Sequence, residues 1–221
     1  MAAVITSALT ISAARADVLV NGGFEAEPNA NPANGATFLS GQNDIPGWTI
    51  TPGTEVTLHS SVANAYPTIS GVYSVNTDSE GFNGHNAQLY QDFTSALGNL
   101  YNLTFNWETW QVDAPGSFLH ITVTDQTTSA VLFNGLYDPT AVPDLTVQSV
   151  SAGFTGTGDT LRLEIQETPE SGNNDNQFIV DNFDVEDNGN PNAGAPDATG
   201  WSAEITAALG LIGFARRKFR K

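Results

Sequence analysis

Tyr101-Asn102-Leu103-Thr104-Phe105-Asn106-Trp107 decides how the chain must be read. Apolar and polar residues alternate along it, which is the period of a strand and not of a helix. Tyr101, Leu103, Phe105 and Trp107 then point into a core. Asn102, Thr104, Asn106, Glu108 and Trp110 share the opposite face. The alternation returns in Thr160–Gln166, where Leu161, Leu163 and Ile165 face in while Arg162 and Glu164 face out.

Further strand-like runs lie on either side: Trp48–Thr51, Glu55–His59, Val72–Asn76, Ala87–Phe93, Phe118–Thr124, Val131–Leu136, Thr146–Phe154 and Phe178–Val185. Turn residues punctuate them, among them Pro46-Gly47, Pro52-Gly53, Gly98-Asn99 and Pro115-Gly116. No window carries a convincing amphipathic helix. Many short strands at this spacing predict an all-β sandwich or barrel over residues 17–186.

Only 14% of the 221 residues are charged and 40% are hydrophobic, so Asn, Thr, Ser, Gln and Gly must cover most of the surface. Cytosolic domains usually carry about a quarter charged residues. Cysteine is absent, which excludes disulfides, thiolate chemistry and cysteine-ligated zinc. The net charge is −17, but its distribution matters more. Between Asp17 and Gly200, Arg162 is the single basic residue against 23 of the 24 acids, a charge of about −22. Such a field repels phosphate backbones, so nucleic acid is excluded as a partner. It attracts divalent cations, and it keeps an exported protein soluble.

The two ends stand apart from this domain. Residues 1–16 read as a secretory leader, with an apolar Ala2–Ile11 and the small-x-small pattern of Ala14-Arg15-Ala16. No Lys or Arg precedes its apolar run. Residues 187–200 have the composition of a flexible linker. In the tail, 201–221, an apolar run from Ile205 to Ala215 precedes the basic cluster Arg216–Lys221. Eleven apolar residues are too few to span a bilayer core, which takes about 20. Either an amphipathic membrane-surface helix or a sorting signal fits the tail. With Ala195-Pro196-Asp197-Ala198-Thr199, Leu209-Gly210-Leu211-Ile212-Gly213 and the basic cluster, this end resembles the PEP-CTERM sorting tails of exported bacterial proteins. That resemblance implies transient membrane contact, a sorting protease and a final place at the cell surface or in the extracellular matrix.

A second resemblance runs through the domain. Val20-Asn21-Gly22-Gly23-Phe24-Glu25, Gly47-Trp48, Gln91-Asp92-Phe93, Tyr101-x-Leu-x-Phe105 and Ile179-Val180-Asp181-Asn182-Phe183-Asp184-Val185 occur in that order. The series resembles the galactose-binding-like jelly rolls, including many bacterial carbohydrate-binding modules. It implies a two-sheet antiparallel jelly-roll sandwich with adjacent first and last strands, often a structural calcium, and frequently a glycan-binding role. It does not imply catalysis.

Asp181 lies in phase with Ile179, Phe183 and Val185, so it is expected to point inward. A buried carboxylate needs a cation or several donors. A calcium shared with Glu25 satisfies that need if first and last strands are neighbours; backbone N–H donors at a strand end satisfy it equally. For a ligand, the informative residues are aromatics out of phase with the core. Trp110 and Tyr90, flanked by Gln88, Asn106 and Glu108, form the candidate glycan site, although each aromatic could instead pack under a loop. His59, His85 and His120 show no metal-ligand spacing, no G-x-S-x-G is present, and no carboxylate pair stands out. The expectation is a non-catalytic, glycan-binding surface protein. A structural or adhesive matrix protein that binds other proteins is the alternative, and a glycoside hydrolase is a more distant one. Mass spectrometry of the protein from its native host should show loss of residues 1–16 and of the segment beyond about Thr199; an intact chain outside the cell contradicts both signals.

Overall fold

The structure, a computed structural model, describes residues 17–26, 35–41, 44–63, 66–77, 87–112, 117–168 and 176–191. The expected leader, most of the linker and the tail lie outside these residues. The chain divides into two units at Asn188/Gly189. The first holds the sandwich, and of the second only residues 189–191 are described.

Eleven strands build the first unit: β1 (Ala36–Leu39), β2 (Thr49–Ile50), β3 (Val56–Ser60), β4 (Tyr73–Asn76), β5 (Gln88–Thr94), β6 (Leu100–Val112), β7 (Phe118–Asp125), β8 (Val131–Tyr137), β9 (Gln148–Thr155), β10 (Thr160–Thr168) and β11 (Asn176–Asp187). Ten coincide with the runs read from the sequence, and β1 is additional. Among the described residues the only helical pieces are single 3-10 turns at Ser61–Ala63 and Pro139–Ala141. A six-stranded sheet has the order β1-β3-β4-β11-β6-β9, and a five-stranded sheet the order β2-β5-β10-β7-β8. Every pairing is antiparallel. From β4 to β11 the chain changes sheet at each step except the β7–β8 hairpin. This is a jelly-roll sandwich, and the barrel is thereby excluded.

The alternation of the sequence is the alternation of the structure. Tyr101, Leu103, Phe105 and Trp107 meet Leu161, Leu163 and Ile165 in the space between the sheets. Phe24 and Trp48 each pack edge to face on Phe183 there, and Phe105 stacks on Phe183 with ring centroids 5.0 Å apart. Such aromatic pairs add about 0.5–1.5 kcal/mol each beyond their buried area.

The expected adjacency falls to the segment before β1 and not to β1 itself, which β3 and β4 separate from β11. Asp17 bridges Glu186, Val18 N–H donates to Val185 O at 3.0 Å, and Phe183 N–H to Gly22 O at 3.0 Å. β11 therefore has two partners along one edge. Its first half pairs with β4 at Ile179 and Val180, and its second half with the N-terminal segment. The register against β6 shifts between Asp181 and Asp184, where Asn182 takes φ 56°. This bulge corrects the expected facing of Asp181. Phe183 and Val185 enter the core, whereas Ile179 and Asp181 pair with Glu108 and Asn106 on the outer face of the six-stranded sheet. Asp181 is still buried, because the segment from Tyr66 to Val72 lies over that face.

That segment is tied down by side chains below it. His59 Nδ1 lies 3.1 Å from Pro67 O, and Asn76 Nδ2 lies 3.1 Å from His59 Nε2. Only the neutral imidazole with its proton on Nδ1 satisfies both. Burial pushes the His59 pKa down to about 4. The ring packs within 4.9 Å of Tyr66 and 5.4 Å of Trp110.

Two outcomes follow from this packing. A Cβ at Gly22 would fall on the carbonyl oxygen of Phe183, whereas Gly53, at φ 86°, faces open space. Gly22→Ala should cost about 2–3 kcal/mol in chemical denaturation. Gly53→Ala should cost only the backbone strain of about 1 kcal/mol; equal losses contradict the close approach. His59, with its folded pKa below the unfolded value of 6.5, contributes stability that is full above that value. The contribution should fall by up to about 1.4 kcal/mol per pH unit as the pH drops toward 4. A His59 resonance titrating near 6.5 by NMR would contradict it.

Candidate functional site

The outer face of the five-stranded sheet presents a grid of hydrogen-bonding side chains. Antiparallel register sets Arg162 opposite Asp92 and Thr124, Glu164 opposite Tyr90 and Thr122, and Gln166 opposite Gln88 and His120. Thr49 of β2 extends the row beside Tyr90. Arg162 Nε and Nη2 donate to the two Asp92 oxygens at 2.7 and 2.8 Å, a bidentate pair. Its Cζ lies 3.5 Å from the centroid of the Tyr90 ring, so the guanidinium covers that ring face.

Beside Arg162 is a hollow of about 240 Å³, lined by Thr122, Thr124, Asp125, Gln126, Ser129, Arg162 and Glu164. Its far wall is the β7–β8 turn. Asp125 Oδ1 accepts from Thr127 and Thr128 N–H at 2.8 Å each, and Ser129 N–H donates to Asp125 O at 2.8 Å. The wall is thus fixed by its own hydrogen bonds. A larger depression of about 530 Å³ at the β6–β9 end is lined by apolar residues such as Leu100 and Phe154 and equally by polar ones, Asn102, Thr155, Glu186 and Asn188.

The structure divides the five expected ligand residues between two faces. Tyr90 and Gln88 lie on the five-stranded sheet, whereas Trp110, Asn106 and Glu108 lie on the outer face of the six-stranded sheet. β5 and β6 are consecutive, but their connection crosses from one sheet to the other. Trp110 packs edge-to-face against His59 and Tyr66, the loop-packing alternative. Glu108 is only 4% exposed, and burial raises its pKa. Asn106 bonds Ser149 Oγ at 2.7 Å and Asn182 Nδ2 at 3.1 Å. Those three therefore do not join Tyr90 and Gln88 in one site. Asp92, Arg162, Glu164, Thr122 and Thr124 were not singled out by the sequence reading. The available signal was the solitary basic residue on an outward strand position.

Glu25 and Asp181 do come to one place. Glu25 Oε1 accepts from Val72 and Tyr73 N–H at 2.9 and 3.2 Å. Asp181 Oδ2 accepts from Ser70 N–H, Ser70 Oγ and Ser74 Oγ at 2.9–3.1 Å, and its Oδ1 from Asn182 N–H at 2.6 Å. Two of these donors, Ser70 and Asn182 N–H, are of the backbone kind the second alternative named, two are serine hydroxyls, and Asp181 lies within β11 and not at its end. Burial nevertheless pushes the Asp181 pKa up to about 6, with the hydrogen bonds pulling it back. Fit to the calcium implied by the resemblance is tested at Gly23. A Cβ there would meet Asp181 Oδ1 and Asn182 Oδ1 at 3.9 Å and Glu25 Cγ at 4.0 Å. Two side-chain oxygens, of Asp181 and Asn182, thus face the space beside Gly23, and Glu25 borders it through Cγ; oxygen donors of this kind are those a calcium would take. Among the described residues no three His, Asp or Glu side chains gather as ligands, so further ligands would be carbonyl or water oxygens. His59 is buried, His120 bonds Asn134 Oδ1 at 2.6 Å, and His85 lies outside the described residues.

The fold is similar to several solved carbohydrate-binding modules. TmCBM61, solved in complex with β-1,4-galactotriose, is 11% identical with a TM-score of 0.46, over 77% of this chain and 97% of that one. The CBM22-1 xylan-binding domain of Xyn10C from Paenibacillus barcinonensis is 16% identical with a TM-score of 0.44, over 67% and 91%. A family 16 carbohydrate-binding module is 11% identical with a TM-score of 0.43, over 66% and 96%. At identities this low the likeness is one of fold and not of binding residues. No curated protein matches the chain. Residues 17–186, the whole sandwich, match one family model, and the chain belongs to that family, described as Protein of unknown function (DUF642).

Proposed function

We propose that the sandwich binds glycan, without catalysis, on the outer face of its five-stranded sheet. The observation that carries this is the Asp92–Arg162–Tyr90 assembly. Arg162 and Asp92 are 27% and 39% exposed, and exposed ion pairs contribute only about 0–1 kcal/mol to stability. The sole base of the domain is therefore held rigid on an open face for little gain in folding. It offers fixed N–H donors beside the carboxylate of Glu164, the amides of Gln88 and Gln166 and the hydroxyls of Thr122 and Thr124. Alternating donors and acceptors of this kind match the hydroxyls of a sugar.

The charge of the domain favours a neutral glycan over an acidic one. The leader and the sorting-type tail support an exported protein of a bacterial surface or matrix, where polysaccharide is at hand; the tail's membrane contact and its protease belong to the same reading. Calcium is part of it too, held by Asp181, Asn182 and Glu25. Its positive charge would offset the buried Asp181 carboxylate and strengthen the junction of the N-terminal segment with β11.

On a glycan array the chain should bind neutral polysaccharide. Arg162→Ala should weaken that binding about tenfold or more, with stability changed by less than about 1 kcal/mol. Binding equal in variant and parent would move the site elsewhere, and no binding to any glycan would remove the function. Thermal melts in chelator and in millimolar calcium should differ. Calcium at a hundred times its Kd adds about 2.7 kcal/mol. Identical melting points would leave Asp181 as a carboxylate satisfied by hydrogen bonds alone.

A further inference from the structure

We infer that β9 is an interaction surface for a second copy of this chain. Two β9 strands pair antiparallel about a two-fold axis and join their six-stranded sheets into one continuous sheet. The inference stands apart from the glycan reading above.

A sheet edge is a row of backbone donors and acceptors open to any other strand, and proteins blunt it with short strands, bulges, proline or charge. The edge strands here are β1 and β9 of one sheet and β2 and β8 of the other. β1 has four residues and β2 only two. β8 is broken by a register shift opposite Val123/Thr124. β9 runs for eight residues, Gln148 to Thr155, and keeps one register against β6 throughout. It contains neither proline nor a charged side chain. This edge alone is left unblunted.

The backbone groups of the edge follow from its neighbours. Leu100 O accepts from Asn188 N–H at 2.8 Å on the β11 side of β6, so Leu100 turns its backbone groups away from its partner Thr155. Gly156 N–H donates to Asn99 O at 2.8 Å, one pair further along. Bonded and non-bonded pairs alternate in an antiparallel ladder. Val150, Ala152 and Phe154 therefore bond β6, whereas Ser149, Ser151, Gly153 and Thr155 turn N–H and C=O to the open edge. Among the described residues nothing bonds their backbone there.

A second copy suits this edge on charge. The domain carries about −20, so most of its surface repels a copy of itself, and a strand without acids is where two copies meet at least cost. A basic partner would find no acid on β9 to pair with. The chain's own continuation beyond Asn188 is a poor strand, since it brings Gly189, Pro191, Gly194 and Pro196 first. Apolar side chains favour the copy as well. β8 comes within 8 Å of β9 on this side of the sandwich. Val131 and Leu136 of β8, and Leu145 and Val147 just before β9, are exposed. A two-fold axis through the β9 pair sets this group near its own copy. For the glycan reading the consequence is avidity, because the axis is perpendicular to the sheets and leaves both Arg162 faces on one side.

The test is sedimentation of the full chain over a concentration series. The mass should double as concentration rises, and the dimer fraction should grow when salt screens the two negative domains. Proline is accepted on edge strands where its missing N–H faces away from the ladder, so Ser151→Pro should keep the melting point and weaken the dimer about tenfold or more. The fullest overlap of two β9 strands places Ser151 or Ala152 opposite its own copy, with Cα atoms about 4.5–5.5 Å apart, within reach of a disulfide. The chain has no cysteine, so on mild oxidation either Ser151→Cys or Ala152→Cys should give a covalent dimer. Val62→Cys, exposed beside β3, should not. A chain monomeric throughout the series, or equal cross-linking at all three cysteines, overturns the pairing. So does a dimer that salt weakens or that Ser151→Pro leaves intact, which would place the contact elsewhere, the basic tail included. If Ser151→Pro fails to fold, the cysteine variants decide alone.

Discussion

The Asp181 carboxylate, buried beneath residues 66–72 where β11 changes partner, is the constraint on which the rest of the sandwich depends. Three segments far apart in sequence meet there: the N-terminal 18–25, the segment entering β4, and β11 itself. Asp181 accepts from Ser70 and Ser74, and Glu25 from Val72 and Tyr73, so both carboxylates hold the same stretch of backbone. The left-handed Asn182 beside it sets the bulge, and the bulge turns Phe183 inward against Phe24 and Trp48. Removing one acceptor would leave buried donors unpaired, at about 1–3 kcal/mol each. The cost would be felt in the aromatic core and not only at the loop.

The motifs of the first and last segments have a structural explanation in this junction. Gly22 is glycine because Phe183 O lies where a Cβ would be. Asn21 donates to Pro46 O and accepts from Ala26 N–H, while its own carbonyl takes the indole N–H of Trp48 at 3.1 Å. Gln91, buried between the sheets, pairs with both backbone groups of Val20 at 2.6 and 2.9 Å and acts as a strand would. The recurring series from Val20 to Val185 thus holds the first segment to the last. Of its residues, Asp92 stands on the outer face of the five-stranded sheet, where it pairs with Arg162.

Alternation made the fold legible, and the same regularity concealed the site. Tyr101–Trp107 against β9, and Thr160–Gln166 against β5 and β7, show their faces because each keeps one register along those pairings. β11 does not, and a shift of one residue reverses every facing beyond it. Nothing in Asp181-Asn182-Phe183 announces the bulge except an Asn, which tolerates the left-handed region better than most residues. Nor does local pattern say which sheet a strand joins. Tyr90 and Trp110 both read as outward aromatics, yet the crossing between β5 and β6 sets them on opposite sides of the molecule. Glu108 reads as exposed from its phase and is buried, because tertiary cover is invisible to periodicity.

The scarcity of bases gives Arg162 its meaning. In a domain with a charge of about −20, one guanidinium cannot make the surface attractive to anions, and its pairing with Asp92 removes most of what it contributes to the field. What remains is direction. Two bonds to Asp92 and contact with Tyr90 fix the fork before any ligand arrives, so the side-chain entropy of about 2 kcal/mol that a free Arg would lose on binding has largely been lost already. A neutral ligand is recognised by the placement of donors and acceptors and not by charge, and such placement is worth most when the donors do not move. A face whose one cation is neutralised and immobilised among amides, hydroxyls and a carboxylate is therefore better matched to sugar hydroxyls than to a charged partner.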